Sequence, residues 1–325
     1  MIYNFQEATW SRLTAQLDRL PHSLLLHGTA GIGKLGLAER FAQLLLCERR
    51  GRANAPCETC EACRWFLAGN HPDLRILEPE VLARRVEAEG EEAGDDEVRT
   101  TKQPSTEIKV EQVRALSAFV NLGSHRGGRR VAIVHPAEDM NTSAANALLK
   151  NLEEPPAAAV FLLVSHRPAR VLPTIRSRCV PVPVPLPDPQ PATAWLTAQG
   201  VRDAHRWLAF AGGAPRRALD YATGDRGAAI ERVLRGLAAG DRVALAQIKD
   251  RDALEPLAEV LQKTALDRSF SALTGRSRYG SGAAAGNATA WLAFARSMGR
   301  HRLLARHPLN IKLFAAEMLD GMPGL

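Results

Sequence analysis

The chain has 325 residues, 46% of them apolar and 24% charged, and its 42 basic against 35 acidic side chains give a formal charge of +7. That length fits two or three domains, and the composition can bury sizeable cores, which excludes a globally disordered, collagenous or low-complexity chain. Ala157 to Val164, the longest clean apolar run, is far short of the roughly 20 residues a membrane helix needs, and Met1 to Trp10 has no basic-then-apolar leader; the expectation is a cytoplasmic protein without a membrane partner.

In chain order, a first helix is expected around Ala8 to Leu20. Ser23-Leu24-Leu25-Leu26-His27 then reads as a buried strand that ends in the turn-forming stretch Gly28-Thr29-Ala30-Gly31-Ile32-Gly33, with a helix from Lys34 to about Cys47. Leu74 to Leu77, Val131 to Val134 and Val160 to Val164 are further strands. The segments between them, notably Ile108 to Val120 and Asn141 to Leu152, have helical spacing, an alternation that predicts a parallel α/β sheet.

Between about Glu80 and Pro104 the apolar periodicity stops. Residues 87 to 97 hold seven acids and no base, so this stretch reads as a solvated insertion, and the rest of the chain, seven charges more positive than the whole, carries +14. A basic body suits nucleic acid or any other polyanion. From Pro181 to Pro191 proline occupies every second position, which excludes a central strand and fits an edge strand or a polyproline linker. Helices follow at Pro191 to Gln199, Asp203 to Ala211 and Pro215 to Ala222, then longer ones from Ala228 onward, with a loop from Gly275 to Gly286.

Strand, glycine turn and helix are the setting of a phosphate loop, G-x-x-x-x-G-K-[ST], in which backbone N–H groups wrap phosphates, a lysine reaches the outer phosphates and a hydroxyl holds magnesium. Gly28, Gly31, Gly33 and Lys34 fit the pattern; Leu35 stands where the hydroxyl belongs. Hydrolysis also needs a carboxylate at the tip of a neighbouring strand, and here Val131 to Val134 runs into His135-Pro136, with Glu138 and Asp139 beyond the tip. With both magnesium devices missing, a nucleotide such as ATP or ADP binds weakly at most and no intrinsic hydrolysis is expected.

Cys57, Cys60 and Cys63 are three residues apart, and Cys47 precedes them at the end of the phosphate-loop helix. Four thiolates suit one structural, tetrahedral zinc with no open position for catalysis. His71, followed by Pro72, reads as a turn and stays outside the ligand set. A nucleic-acid finger is a competing reading, though only Arg64, Trp65 and Phe66 follow the cluster.

One family matches these strings. Leu24 to Gly28 leading into the loop, the cysteine cluster inserted after the first loop helix, Asn146-Ala147-Leu148-Leu149-Lys150-Asn151-Leu152-Glu153-Glu154-Pro155-Pro156 and the Ser177-Arg178-Cys179 tripeptide together make the chain resemble the delta prime family of bacterial DNA polymerase III clamp-loader subunits, AAA+ proteins. The resemblance implies an AAA+ domain over 1–166, with the zinc module at about 47–63 and the acidic insertion at about 80–104, a helical lid over 167–222 and a helical collar over 223–325. It implies that Arg178 reaches in trans into the ATP site of an adjacent subunit. It implies as partners the gamma/tau and delta types of clamp-loader subunit in a hetero-oligomeric ring, with the sliding clamp and primed DNA reached through that complex. The chain would be a non-catalytic part of a DNA-directed DNA polymerase, a nucleotidyltransferase. Ser165 falls at the polar sensor position of active relatives and Arg216 at the start of their second sensor helix; with the magnesium site broken, Arg216 reads as structural. Two alternatives are an autonomous ATPase with an unorthodox magnesium site at Glu138 or Asp139, and a DNA-binding zinc protein without ring partners.

Overall fold

The protein is described as a computed structural model that covers residues 3–49, 54–83, 104–122, 124, 128–240, 245, 250–278, 287–305, 307 and 309–323. The acidic core of the expected insertion and most of the expected loop after Gly275 lie outside the described residues. Two compact units are formed, 1–186 and 187–325. The first extends past residue 166 because its sheet takes in a strand as far as Pro183.

Its five strands are β1 (Ser23–His27), β2 (Leu74–Leu77), β3 (Arg130–Val134), β4 (Ala159–Ser165) and β5 (Val180–Pro183). They run parallel in the order β2-β3-β4-β1-β5. Parallel strands covered on both faces are apolar throughout, and every residue of β3 and β4 is buried. The proline alternation is resolved as an edge strand. β5 pairs with β1 alone, and Val184 rather than a proline donates its N–H to the His27 carbonyl, at 2.8 Å.

The helices of this unit are α1 (Glu7–Thr14), α2 (Lys34–Leu46), α3 (Glu61–Leu67), α4 (Val110–Asn121), α5 (Thr142–Glu153) and α6 (Pro173–Arg176). α1 stops at Thr14, short of the expected Leu20, and a single 3-10 turn at Leu17–Arg19 follows, just ahead of Pro21. Asn141 caps α5 by accepting from the Ala144 N–H at 2.8 Å, and the helix buries Ala144, Ala145, Leu148 and Leu152 at helical spacing.

Among the described residues the regular elements of the second unit are helices: α7 (Pro189–Ala198), α8 (Ala204–Phe210), α9 (Pro215–Thr223), α10 (Asp225–Ala239), α11 (Leu254–Thr274), α12 (Ala288–Leu304) and α13 (Ile311–Asp320). One core runs through it from Ala192 to Met322 around the fully buried Trp291. Inside that core the Lys263 amine bonds to the Glu259 carboxylate and the Phe210 carbonyl, both at 2.7 Å, and lies 4.0 Å from the Phe210 ring centroid. The Tyr221 hydroxyl donates to the same carboxylate at 2.7 Å, so the buried charges are paired. Among the described residues no helix is long and apolar enough to cross a membrane.

Candidate functional site

Parallel α/β sheets place their sites beyond the carboxyl ends of the strands. At that edge β1 delivers the glycine loop expected to hold phosphate, β2 delivers Glu78, β3 delivers His135, and β4 ends on Ser165 with His166 next in the chain. Gly28 passes so close to the β5 side that a Cβ there would lie 2.3 Å from the Val184 carbonyl oxygen. Gly33 has φ +83°, a left-handed conformation at the entry to α2, and a Cβ there would meet the Tyr3 ring at 2.5 Å. Gly31 has φ +80°. The Gln6 amide donates to the carbonyls of Ile32 (2.9 Å) and Gly33 (3.1 Å), so the N-terminal segment braces the end of the loop.

Lys34 is buried, and its amine donates back to the loop's own carbonyls, Gly28 at 2.8 Å and Thr29 at 2.6 Å. Leu35 follows on α2 and offers no hydroxyl.

At the strand tips the groups are engaged with each other. His135 Nδ1 is 2.8 Å from a Glu78 carboxylate oxygen and its Nε2 is 3.2 Å from His166 Nε2. Glu138, its side chain 1% exposed, accepts the His166 backbone N–H at 2.9 Å. Asp139 is pushed above the ordinary carboxylate range by burial and then by Glu138. Ser165 is fully buried, and its hydroxyl accepts the Arg167 N–H at 3.2 Å.

The four cysteines converge. Cys47 Sγ to Cys60 Sγ is 3.9 Å, Cys57 Sγ to Cys63 Sγ is 4.0 Å, and all four sulfurs lie within 4.8 Å of one another. A tetrahedral ion with bonds of about 2.3 Å sets its sulfurs about 3.8 Å apart, so the cluster has the size to hold one. Three N–H groups point at sulfur: Cys57 to Cys47 (3.3 Å), Cys60 to Cys57 (3.3 Å) and Cys63 to Cys60 (3.4 Å). Backbone N–H bonds from Thr59 and Cys60 hold the Cys57 thiol down at about 6, while burial pushes Cys47 and Cys63 up. An Arg40–Glu58 ion pair of 2.5 Å ties the knuckle to α2. α3, which carries Cys63 and is capped by the Cys60 sulfur, was not expected from the sequence. His71 is buried outside the cluster and accepts the Asp73 N–H.

Arg178 follows α6. Its carbonyl accepts from the Ser23 hydroxyl at 2.6 Å, and its N–H donates to Ile175 at 3.1 Å, which fixes its backbone against β1 and α6. The side chain is 35% exposed, and its guanidinium bonds to the Glu153 carboxylate at 2.5 Å and to the Thr174 carbonyl at 3.0 Å. Beside it Cys179 is buried and its thiol is pushed up to about 11. Arg216 is exposed in the first turn of α9.

The sequence profile of the family described as "DNA polymerase III, delta subunit" matches residues 5–187, more than half of the chain. The chain belongs to that family. The DNA polymerase III subunit delta' of Pseudomonas aeruginosa is 44% identical over 219 residues, 66% of this chain and 59% of the relative. The chain is also similar to the DNA polymerase III subunit tau of Escherichia coli, 32% identical over 164 residues, half of this chain and 22% of that one. Among solved structures, a DNA polymerase III gamma subunit-related protein of Thermotoga maritima overlaps 97% of both chains at 18% identity, with a TM-score of 0.47. The chain therefore spans just under three fifths of the Pseudomonas relative's length. The family match covers the sheet, the glycine loop, the cysteine cluster and Arg178, all within the parallel α/β core that the sequence led us to expect.

Proposed function

We propose that this clamp-loader family member is a stator. It does not hydrolyse ATP, it supplies Arg178 in trans to the ATP site of a neighbouring gamma/tau-type subunit, and it helps that complex place a sliding clamp on primed DNA. A three-part division into AAA+ core, lid and collar belongs to this reading, with the core running on from the expected 166 to residue 186 because β5 is part of its sheet, and with the collar joining the ring.

The observation that carries it is the residue at the β3 tip, where a carboxylate for magnesium would stand. His135 stands there, tied to Glu78 and His166, and the Glu138 carboxylate accepts the His166 backbone N–H. With Leu35 in place of a hydroxyl, the start of α2 offers no side-chain oxygen where a magnesium ligand would stand. Gly28, Gly31, Gly33 and Lys34 are then a residual phosphate loop that binds ATP or ADP weakly at most. Arg178 supports the other half: its backbone is fixed while its tip stays accessible, and a guanidinium is the group that neutralises charge building on a transferring phosphoryl.

Cys47, Cys57, Cys60 and Cys63 hold one zinc with a structural role. A closed four-thiolate shell gives the ion no site for water and clips the 54–67 segment onto the end of α2.

The test is reconstitution. The purified chain alone turns over no ATP above background, and adding it to its partner subunits raises their DNA-stimulated ATPase. Turnover by the lone chain that Lys34→Ala abolishes would instead favour the autonomous ATPase.

A further inference from the structure

Glu153 is the last residue of α5, and Glu154 follows it. A helix C-terminus carries the negative end of the macrodipole, so a carboxylate there has the wrong sign for the helix. What the position gains is Arg178, whose Nη2 lies 2.5 Å from Glu153 Oε1, while Nη1 donates to Thr174 O at 3.0 Å and reaches Ser177 Oγ at 3.4 Å. The backbone at Arg178 is pinned by Ser23 and Ile175, so only the side chain is free to change partner. A carboxylate and a phosphate offer the same paired oxygens to one guanidinium fork, and the fork serves one of them at a time.

We infer that Glu153 is a positioning residue that holds Arg178 at rest and competes for it with the phosphate of the neighbouring subunit's nucleotide. This rests on Arg178 acting in trans. Both side chains are partly exposed, 35% for Arg178 and 47% for Glu153, so the pair is solvent-screened and gives way to a nucleotide's higher charge. The finger therefore leaves its own chain only when a nucleotide is there to receive it, and part of the nucleotide's binding energy is spent in separating the pair.

Glu153→Gln keeps the shape and removes the charge. In the reconstituted loader it should raise kcat/KM for ATP two- to five-fold at low salt, the range expected for losing an exposed ion pair, and the rise should shrink as salt screens the pair in the unsubstituted protein. The gain should be absent in an Arg178→Ala background, and the thermal midpoint of the chain should not fall. If Arg178→Ala lowers ATPase but Glu153→Gln leaves kcat/KM unchanged or lowers it, the resting-partner role is overturned and the finger stands. If Arg178→Ala changes nothing, the finger itself fails and this inference fails with it.

Discussion

The Lys34 ammonium donates to the carbonyl oxygen of Gly28, 2.8 Å away, and so ties the start of α2 back to the loop that leads into it. With the second bond to Thr29 it serves as a buried structural cation. Lys34→Ala should therefore cost about 1–3 kcal/mol of stability, because two carbonyls lose a charged donor. Urea unfolding of the purified chain measures this, and an unchanged midpoint would contradict it.

Gly28 is fixed by close approach. An added Cβ meets the backbone oxygen of Val184, whose own N–H is bonded to the His27 carbonyl just past the end of β5, so the backbone there cannot easily step aside. Gly28→Ala should lose about 1–3 kcal/mol, the range for forced overpacking, read from the same unfolding curves. Gly36, whose Cβ would meet nothing within 4 Å, is the control.

Metal analysis of the chain purified without chelator should return about one zinc per chain, the count for one four-thiolate shell. Cys60→Ser or Cys63→Ser should bring that to near zero and make residues 54–67 susceptible to proteolysis, because these are the two buried members of the cluster. Full zinc occupancy in either variant would remove the cluster as the binding site.

Glu39 on α2 supplies a pH test. Burial first, and then the Glu78 carboxylate, push its carboxyl above the ordinary 4.5, with His135 opposing in part. Between 4.5 and the raised value the folded chain binds more protons than the unfolded one, so this group's contribution to stability is full at low pH and is lost as pH rises through that window. Glu39→Gln should be more stable than the unsubstituted chain at pH 7 and equal to it below pH 4.5. Urea midpoints at the two pH values decide it, and a variant weaker at pH 7 would contradict the sign.

Much of this fold is legible in the residues. Ser23–His27 and Leu74–Leu77 have the expected bounds, and β3 and β4 differ by a residue at their ends; the interior strands β1, β3 and β4 are buried apolar runs that stop at polar tips, while β2 is a partly exposed edge strand. α3 was hidden because its N-cap is a cysteine sulfur accepting from the Cys63 N–H, outside the oxygen caps by which helix starts are read. The four cysteines announce themselves by spacing. The Glu78–His135–His166 chain does not, since it exists only because β3 lies between β2 and β4. Nor does the Arg178–Glu153 pair, which joins the ends of two helices 25 residues apart in sequence.

The central claim is that this chain serves a phosphate pocket it does not itself contain. Pre-steady-state ATP hydrolysis by the loader reconstituted with Arg178→Ala tests it most directly. Assembly on gel filtration should be unchanged, because the side chain is partly exposed and its backbone is anchored independently of it. Turnover at the adjoining ATP site should fall by at least about ten-fold, a modest share of what a trans arginine contributes in related phosphoryl transfers. Hydrolysis at the unsubstituted rate by a fully assembled loader would contradict the account.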